Sequence, residues 1–130
     1  MRKANHKTVI MSAFRKELNS GENFDRHCDL LVDIKQSYRC GAVQGRYEGN
    51  EELSIVVQLD HSSDVIILSA LANHYQQDCI MVVNEDNSCD LVYADGRTEG
   101  IGKMIMVEPS VAMQGDYTHD FRNDIYYKVI

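Results

Sequence analysis

Hydrophobic positions in the first third of the chain change from a strand pattern to a helix pattern. Residues 8–14 are apolar almost throughout and predict a buried first strand. Between residues 24 and 38, apolar side chains recur every three or four positions, which predicts one buried face of a helix. Asn23 and Asp25 are the candidate N-caps, since short polar side chains at that position bind free backbone N–H groups.

The middle of the chain predicts two further strands and a second helix. Residues 41–47 fit a strand, residues 48–50 carry a turn signal, and residues 53–59 form a β-branched apolar run. Residues 60–64 supply N-cap candidates for a helix over residues 65–76, whose apolar side chains share one face.

Shorter strand patterns fill the rest of the chain. Residues 79–83 predict a buried strand, residues 84–88 a turn, and residues 91–94 a returning strand. The dipeptide Asp95-Gly96 is a strong hairpin signal. Further strands are expected at residues 104–107 and 126–130.

The order of these elements predicts an α+β fold. Strand, helix, strand, strand, helix, strand is the β-α-β-β-α-β order of a ferredoxin-like sandwich, here with a β-rich C-terminal extension. Two helices cover one face of such a sheet and leave the other face bare. Because a bare apolar face needs a partner, we expect an oligomer.

Length and charge restrict the possible functions. The 130 residues correspond to one domain, residues 1–130. The formal net charge of −7 disfavours binding to nucleic acid, because phosphate backbones are repelled. The same charge, without a basic aromatic strand, argues against an RNA-recognition module on this topology.

No targeting pattern is found. The start of the chain is basic, but the apolar run that follows is too short for a signal peptide core. No stretch approaches the ~20 apolar residues of a membrane span. We therefore expect a cytoplasmic protein without a membrane partner, in which the four cysteines are reduced and mostly buried.

Signatures of metal sites and covalent catalysis are missing from the sequence. Histidine and cysteine lie close together at His27-Cys28 and at His74 and Cys79, but without the paired spacing of a zinc site. Residues 84–90 lack the glycine and terminal glutamate of a calcium loop. No nucleophile elbow and no glycine-rich phosphate loop are present. We expect no metal.

Two acidic segments at the ends of predicted elements are the candidate sites. Glu51 and Glu52 follow Tyr47 and a turn, and a carboxylate there can bind a cation or an ammonium group. Gln77-Asp78 lies between the second helix and a buried strand. Taken alone, each segment also fits an ordinary charged turn.

Several short segments, taken in order, resemble the S-adenosylmethionine-degrading enzymes of bacteriophages. They are Ser12-Ala13-Phe14-Arg15, Arg26-His27, Gly45-Arg46-Tyr47 with Glu51-Glu52, Gln77-Asp78-Cys79, residues 91–96 and residues 114–118. The resemblance spans the chain from about residue 9 to the C-terminus. One departure is the short spacing between the tyrosine and the glutamates, which leaves both Glu51 and Glu52 as candidates for the functional acid; Glu52 is preferred.

The resemblance implies a function. It implies a homotrimer of PII-like fold, with active sites between subunits and no metal or organic cofactor. It implies cleavage of S-adenosylmethionine to 5′-methylthioadenosine and homoserine lactone, in the cytoplasm of a bacterial host, which counters methylation and restriction. Glu52 or Glu51 would bind the α-ammonium, Tyr47 would orient the carboxylate arm, and Gln77 and Asp78 would bind adenosine or the ammonium.

Two other functions fit the same sequence. A hydrolase would release homoserine by attack of water. A PII-like or ACT-like module would bind a small metabolite without chemistry, and the predicted fold supports it equally well.

Overall fold

The computed structural model describes residues 7–130, which form eight strands and three helices. The first six residues, part of the basic start considered above, lie outside the described part. The elements are β1 (Thr8–Met11), α1 (Ser20–Lys35), β2 (Arg39–Tyr47), β3 (Asn50–Gln58), α2 (Asp64–His74), β4 (Cys79–Val83), β5 (Ser88–Tyr93), β6 (Thr98–Val107), α3 (Pro109–Ala112), β7 (Tyr117–Asp120) and β8 (Ile125–Val129).

The eight strands close into one antiparallel barrel in the order β1-β3-β2-β7-β8-β6-β5-β4. The prediction of a ferredoxin-like sandwich with a β-rich extension and a PII-like architecture is therefore wrong. β7 pairs with β2 and β5 pairs with β4, so the C-terminal strands occupy both edges that a four-stranded sheet leaves open. Closure satisfies the backbone groups that free edges expose.

The sheet face predicted to be bare is the interior of this barrel. It is filled by one apolar cluster, formed by Ile10, Val43, Val56, Met81, Val83, Cys89 and Met104. A barrel of eight strands is just wide enough for side chains to fill it. The argument from a bare face to an oligomer therefore fails, because that face is covered within one chain.

A second apolar cluster lies outside the barrel, where α1 and α2 pack on the sheet. Leu30 and Ile34 of α1 and Leu68 of α2 are almost fully buried there. α1 begins at Ser20, earlier than predicted, because Asn19 and Glu22 form a capping box that neither candidate N-cap provides. No helix within residues 7–130 has both the length and the apolar character needed to cross a membrane.

Four connections meet at one end of the barrel. The register of β1 with β3 and β4 places the end of β1 and the start of β4 beside the β2–β3 hairpin. Cys79 pairs with Tyr93, so the β5–β6 hairpin lies at the same end. Glu48 and Gly49 form the two-residue β2–β3 loop with φ values of 52° and 82°, the geometry of a type I′ turn.

The cysteines are all free thiols. Cys89 is buried inside the barrel, whereas Cys28, Cys40 and Cys79 are half-buried. Burial raises the pKa of the Cys40 and Cys79 thiols. Both therefore favour the protonated form, which is a poor nucleophile.

The junction of β6 with the C-terminus provides a stability test of barrel closure. Gly102 has φ = 123°, and a Cβ there would lie 2.5 Å from the Ile130 carbonyl oxygen. We predict that Gly102→Ala lowers the free energy of unfolding by about 2–4 kcal/mol, measured by urea denaturation. Gly41→Ala is the control, since a Cβ at Gly41 meets nothing within 4 Å. Equal effects of the two substitutions would contradict this closure geometry.

Candidate active site

A cleft of about 590 Å³ opens at the end of the barrel where these connections meet. Its walls are the β1–α1 loop with the start of α1, the β2–β3 hairpin and the α2–β4 turn. The five residues singled out in the sequence all line it: Tyr47, Glu51, Glu52, Gln77 and Asp78. The structure therefore brings both acidic segments to one cavity.

Glu52 is directed toward the barrel interior. It lies opposite Gly45 in the β2–β3 register and on the same face of β3 as Ser54 and Val56, which are buried. The Glu52 side chain is half-buried, and no hydrogen bond or ion pair holds it within the described residues. Burial raises the pKa of its carboxyl from 4.5 to about 7.

Glu51 has the opposite orientation, because successive side chains of a strand point to opposite faces. Its carboxylate lies 3.5 Å from the Arg46 guanidinium and accepts a hydrogen bond of 3.3 Å from the Gln44 amide. The side chain is about half exposed. Glu51 therefore lies at the solvent rim of the cleft with cross-strand partners, whereas Glu52 is the uncompensated carboxylate inside it.

Tyr47 lies across Gly45 at the mouth of the barrel. A Cβ at Gly45 would fall 2.3 Å from the tyrosine ring, so the absence of a side chain there is what allows this placement. The Tyr47 hydroxyl shares a hydrogen bond of 3.1 Å with Thr118 Oγ1. Burial raises the pKa of this hydroxyl, and the negative charge of Glu52 adds to the effect.

Gln77 and Asp78 are positioned by a left-handed turn at the end of α2. Gln76 has φ = 61°, a region costly for residues other than glycine, and the Gln77 N–H bonds the Ala72 carbonyl as in a Schellman motif. The Gln77 amide nitrogen donates to the carbonyls of Phe14 (3.0 Å) and Tyr75 (3.4 Å). Both of its N–H donors are thereby used, so Gln77 offers only an acceptor oxygen to a ligand.

Arg26 connects the β1–α1 loop to the α2–β4 turn. Its guanidinium donates to the Ala13 carbonyl at 2.7 Å and to the Tyr75 carbonyl, and it lies over the Tyr75 ring. Arg15 also donates from its side chain to the Gln76 carbonyl. The β1–α1 loop and the α2–β4 turn are thus fixed to each other by side-chain contacts to backbone oxygens.

Asn23 holds the β1–α1 loop and was not assigned a site role from the sequence. Its side chain accepts from the Arg15 N–H at 2.8 Å and donates to the Arg15 carbonyl at 3.0 Å. The sequence spacing places Asn23 on the same helix face as His27, Leu30 and Ile34, and all four are buried in the structure. A buried amide on an apolar face needs hydrogen-bond partners, and here those partners are loop backbone.

Arg15 and Lys16 line one part of the cleft, whereas the part around Glu52 favours binding of a cation over covalent catalysis. Neither histidine nor cysteine lines it among the described residues. Within residues 7–130, no group of three or more histidine, cysteine, aspartate or glutamate side chains is arranged to hold a metal ion. The inward Glu52 carboxylate, the Asp78 carboxylate and the Gln77 oxygen make this part of the cavity rich in acceptors.

Comparison with protein families finds a match over nearly the whole chain. The family model described as the S-Adenosylmethionine lyase family matches residues 9–130, which include every residue of the cleft. A search of curated proteins finds no significant match.

The burial of Glu52 predicts a stability cost that depends on pH. Its pKa is raised in the folded protein, so ionisation destabilises the fold progressively as the pH rises from about 4.5 to about 7. We expect Glu52→Gln to leave stability nearly unchanged at pH 4.5 and to increase it by about 1–3 kcal/mol at pH 8. Urea unfolding at both pH values measures this.

Glu51→Gln is the matched control, because it removes only an exposed ion pair worth about 0–1 kcal/mol. Stabilisation by Glu51→Gln at pH 8, or destabilisation by Glu52→Gln there, would contradict the inward orientation of Glu52.

Proposed function

The chain belongs to the S-adenosylmethionine lyase family, and from this premise we propose that it cleaves S-adenosylmethionine to 5′-methylthioadenosine and L-homoserine lactone. The enzyme is a lyase that acts on S-adenosylmethionine. We propose in addition the products, the residues that act and the biological setting. The observation that carries the proposal is the position of Glu52 inside the cleft, a half-buried carboxylate that makes no ion pair within residues 7–130.

The charges of the substrate match this cleft. S-adenosylmethionine carries a positive sulfonium and a positive α-ammonium group, and an opposite charge nearby favours the ionised form of a carboxyl group. We assign the α-ammonium to Glu52, with the Gln77 oxygen as a second acceptor. Substrate binding would thus convert Glu52 to the ionised form that burial alone disfavours.

The proposed chemistry needs no nucleophile from the protein. The substrate carboxylate attacks its own Cγ, the Cγ–S bond breaks, and the bonding electron pair returns to the sulfonium sulfur. 5′-Methylthioadenosine leaves as a neutral thioether, and the new C–O bond closes a five-membered lactone without net proton transfer. The lack of histidine and cysteine in the described lining is compatible with this route.

The protein contributes mainly by holding the reacting groups in the attack geometry. The methionyl arm must fold back so that its carboxylate lies behind Cγ, and such orientation can be worth up to ~7–11 kcal/mol. We assign this role to Tyr47, whose ring is fixed over Gly45 and whose hydroxyl is held by Thr118. Asp78 lies on the opposite wall and remains available to the adenosine half or to the ammonium.

The biological setting rests on the resemblance to bacteriophage enzymes. We propose that the protein acts in the cytoplasm of a bacterial host, where loss of S-adenosylmethionine deprives methyltransferases of their donor and counters methylation and restriction. We also propose a homotrimer with active sites between subunits. Light scattering coupled to size-exclusion chromatography tests the oligomeric state.

A metabolite-binding module without chemistry was the alternative from the sequence. Its support was the ferredoxin-like sandwich, which the closed barrel replaces. The family match favours the enzyme. Hydrolysis is the remaining alternative. In that reaction water, not the substrate carboxylate, supplies the oxygen that bonds to Cγ.

The pH dependence of kcat/KM tests the role of Glu52. Because the ionised carboxylate is the binding form, we expect kcat/KM to rise as the pH increases through about 7 and then to level off. Glu52→Gln should lower kcat/KM by about 10–100-fold at pH 8, as expected for loss of a hydrogen bond to a charged group, and remove this rise. Glu51→Gln should change it by less than about threefold. The reverse order of the two effects would assign the role to Glu51.

Turnover in water enriched in heavy oxygen tests the lyase route. We expect mass spectrometry at early times to show 5′-methylthioadenosine together with unlabelled homoserine lactone, because the ring oxygen comes from the substrate carboxylate. Homoserine carrying the label in its hydroxyl group, with no lactone stage, would show direct hydrolysis instead.

A further inference from the structure

A second cleft adjoins the first and shares two of its residues. It has a volume of about 420 Å³ and lies between the end of α2 and the β5–β6 hairpin. Gln77 and Asp78 line both cavities. The α2–β4 turn is therefore a common wall, with the Glu52 cleft on one side and this second cleft on the other.

A stacked pair of planar side chains lines the second cleft. The Arg97 guanidinium carbon lies 4.0 Å from the centroid of the Tyr93 ring. The Tyr93 hydroxyl donates to Glu99 at 3.3 Å, which holds the ring, and the Arg97 backbone N–H donates to Asp95 at 2.9 Å, which holds the hairpin that carries Arg97. Tyrosine rings and guanidinium planes are surfaces on which nucleobases stack.

Two polar side chains in the same cleft remain available to a ligand. The Asn73 amide makes no side-chain hydrogen bond within residues 7–130, and an asparagine amide can pair with the amino group and N7 of adenine. Asp78 also has no hydrogen-bond partner in this part of the chain, and a carboxylate there can accept from ribose hydroxyls, as acidic residues do in dinucleotide-binding folds. The Asp95 carboxylate, by contrast, is engaged within its own hairpin.

We propose that this second cleft binds the adenosine half of the substrate, with adenine stacked against the Tyr93–Arg97 pair and hydrogen-bonded by Asn73. The inference rests on the proposed function, since the two halves of S-adenosylmethionine diverge from one sulfonium. With the amino-acid arm in the Glu52 cleft, the sulfonium lies along the shared wall beside Asp78. Separate cavities for the two halves let the leaving group remain bound while the arm folds into the lactone.

Inhibition by the separate halves of the substrate tests this subsite. The probes are 5′-methylthioadenosine and L-methionine, each assayed as an inhibitor of S-adenosylmethionine consumption. We expect Tyr93→Leu and Arg97→Gln to raise the inhibition constant of 5′-methylthioadenosine at least tenfold and to change that of methionine by less than twofold. Glu52→Gln should show the opposite pattern. Arg122→Gln, on the exposed β7–β8 turn, is the control, and thermal midpoints verify folding.

The contribution of Asn73 is tested with the 6-oxo analogue, 5′-methylthioinosine. Wild-type protein should bind it at least fivefold more weakly than 5′-methylthioadenosine, and Asn73→Ala should remove most of that difference. Unchanged 5′-methylthioadenosine inhibition in both the Tyr93 and Arg97 variants would overturn the subsite, whatever products turnover yields. Equal weakening of both probes would also overturn it, because a general distortion of the site would then explain the result.

Discussion

The alternation of side chains along the β2–β3 hairpin, inside a sheet that closes on itself, determines the character of this site. The tight two-residue turn fixes the register, so Glu52 lies opposite Gly45 and points inward, while Glu51 points outward to Arg46. Closure then turns the inward face into a filled interior in which a carboxylate is poorly solvated. A shift of one residue would exchange the two glutamates and place the charge at the solvent rim.

The burial that makes Glu52 costly for the fold also prepares it for a cationic ligand. A carboxyl group with a pKa near 7 is partly protonated in the free protein, and an ammonium group supplies the charge that the interior lacks. Functional sites commonly accept such a cost in stability. A second feature with a cost in stability lies across the cleft. Gln76 takes a left-handed conformation there and places Gln77 and Asp78 at the site. The β2–β3 hairpin thus carries a buried carboxyl group and the α2–β4 turn carries a left-handed residue, each at a cost in stability.

The sequence predicted most of the local elements and singled out five residues that line one cleft, but it did not predict the architecture. Apolar periodicity located both main helices and the early strands, since local patterns determine them. It gave no indication that β7 would pair with β2, because that pairing joins residues about 70 positions apart and β7 is only four residues long. The sequence also identified Glu51 and Glu52 but could not orient them, because orientation depends on register. Arg26 and Asn23 were missed as supports. Arg26 donates to backbone oxygens of other segments, and Asn23 bonds the backbone N–H and carbonyl of Arg15 in the β1–α1 loop, contacts that no local pattern reveals.

Proton release on ligand binding tests the central role of Glu52 most directly. The demethylated thioether analogue of the substrate keeps the α-ammonium group but lacks the sulfonium leaving group, so it binds without reacting. Calorimetric titration at pH 7 in buffers of different ionisation enthalpy measures the protons released. Because burial raises the pKa of Glu52 to about 7, the carboxyl group is partly protonated at that pH. We predict proton release by wild type that is lost in Glu52→Gln and retained in Glu51→Gln. Equal release by wild type and Glu52→Gln would contradict the assignment of the ammonium to Glu52.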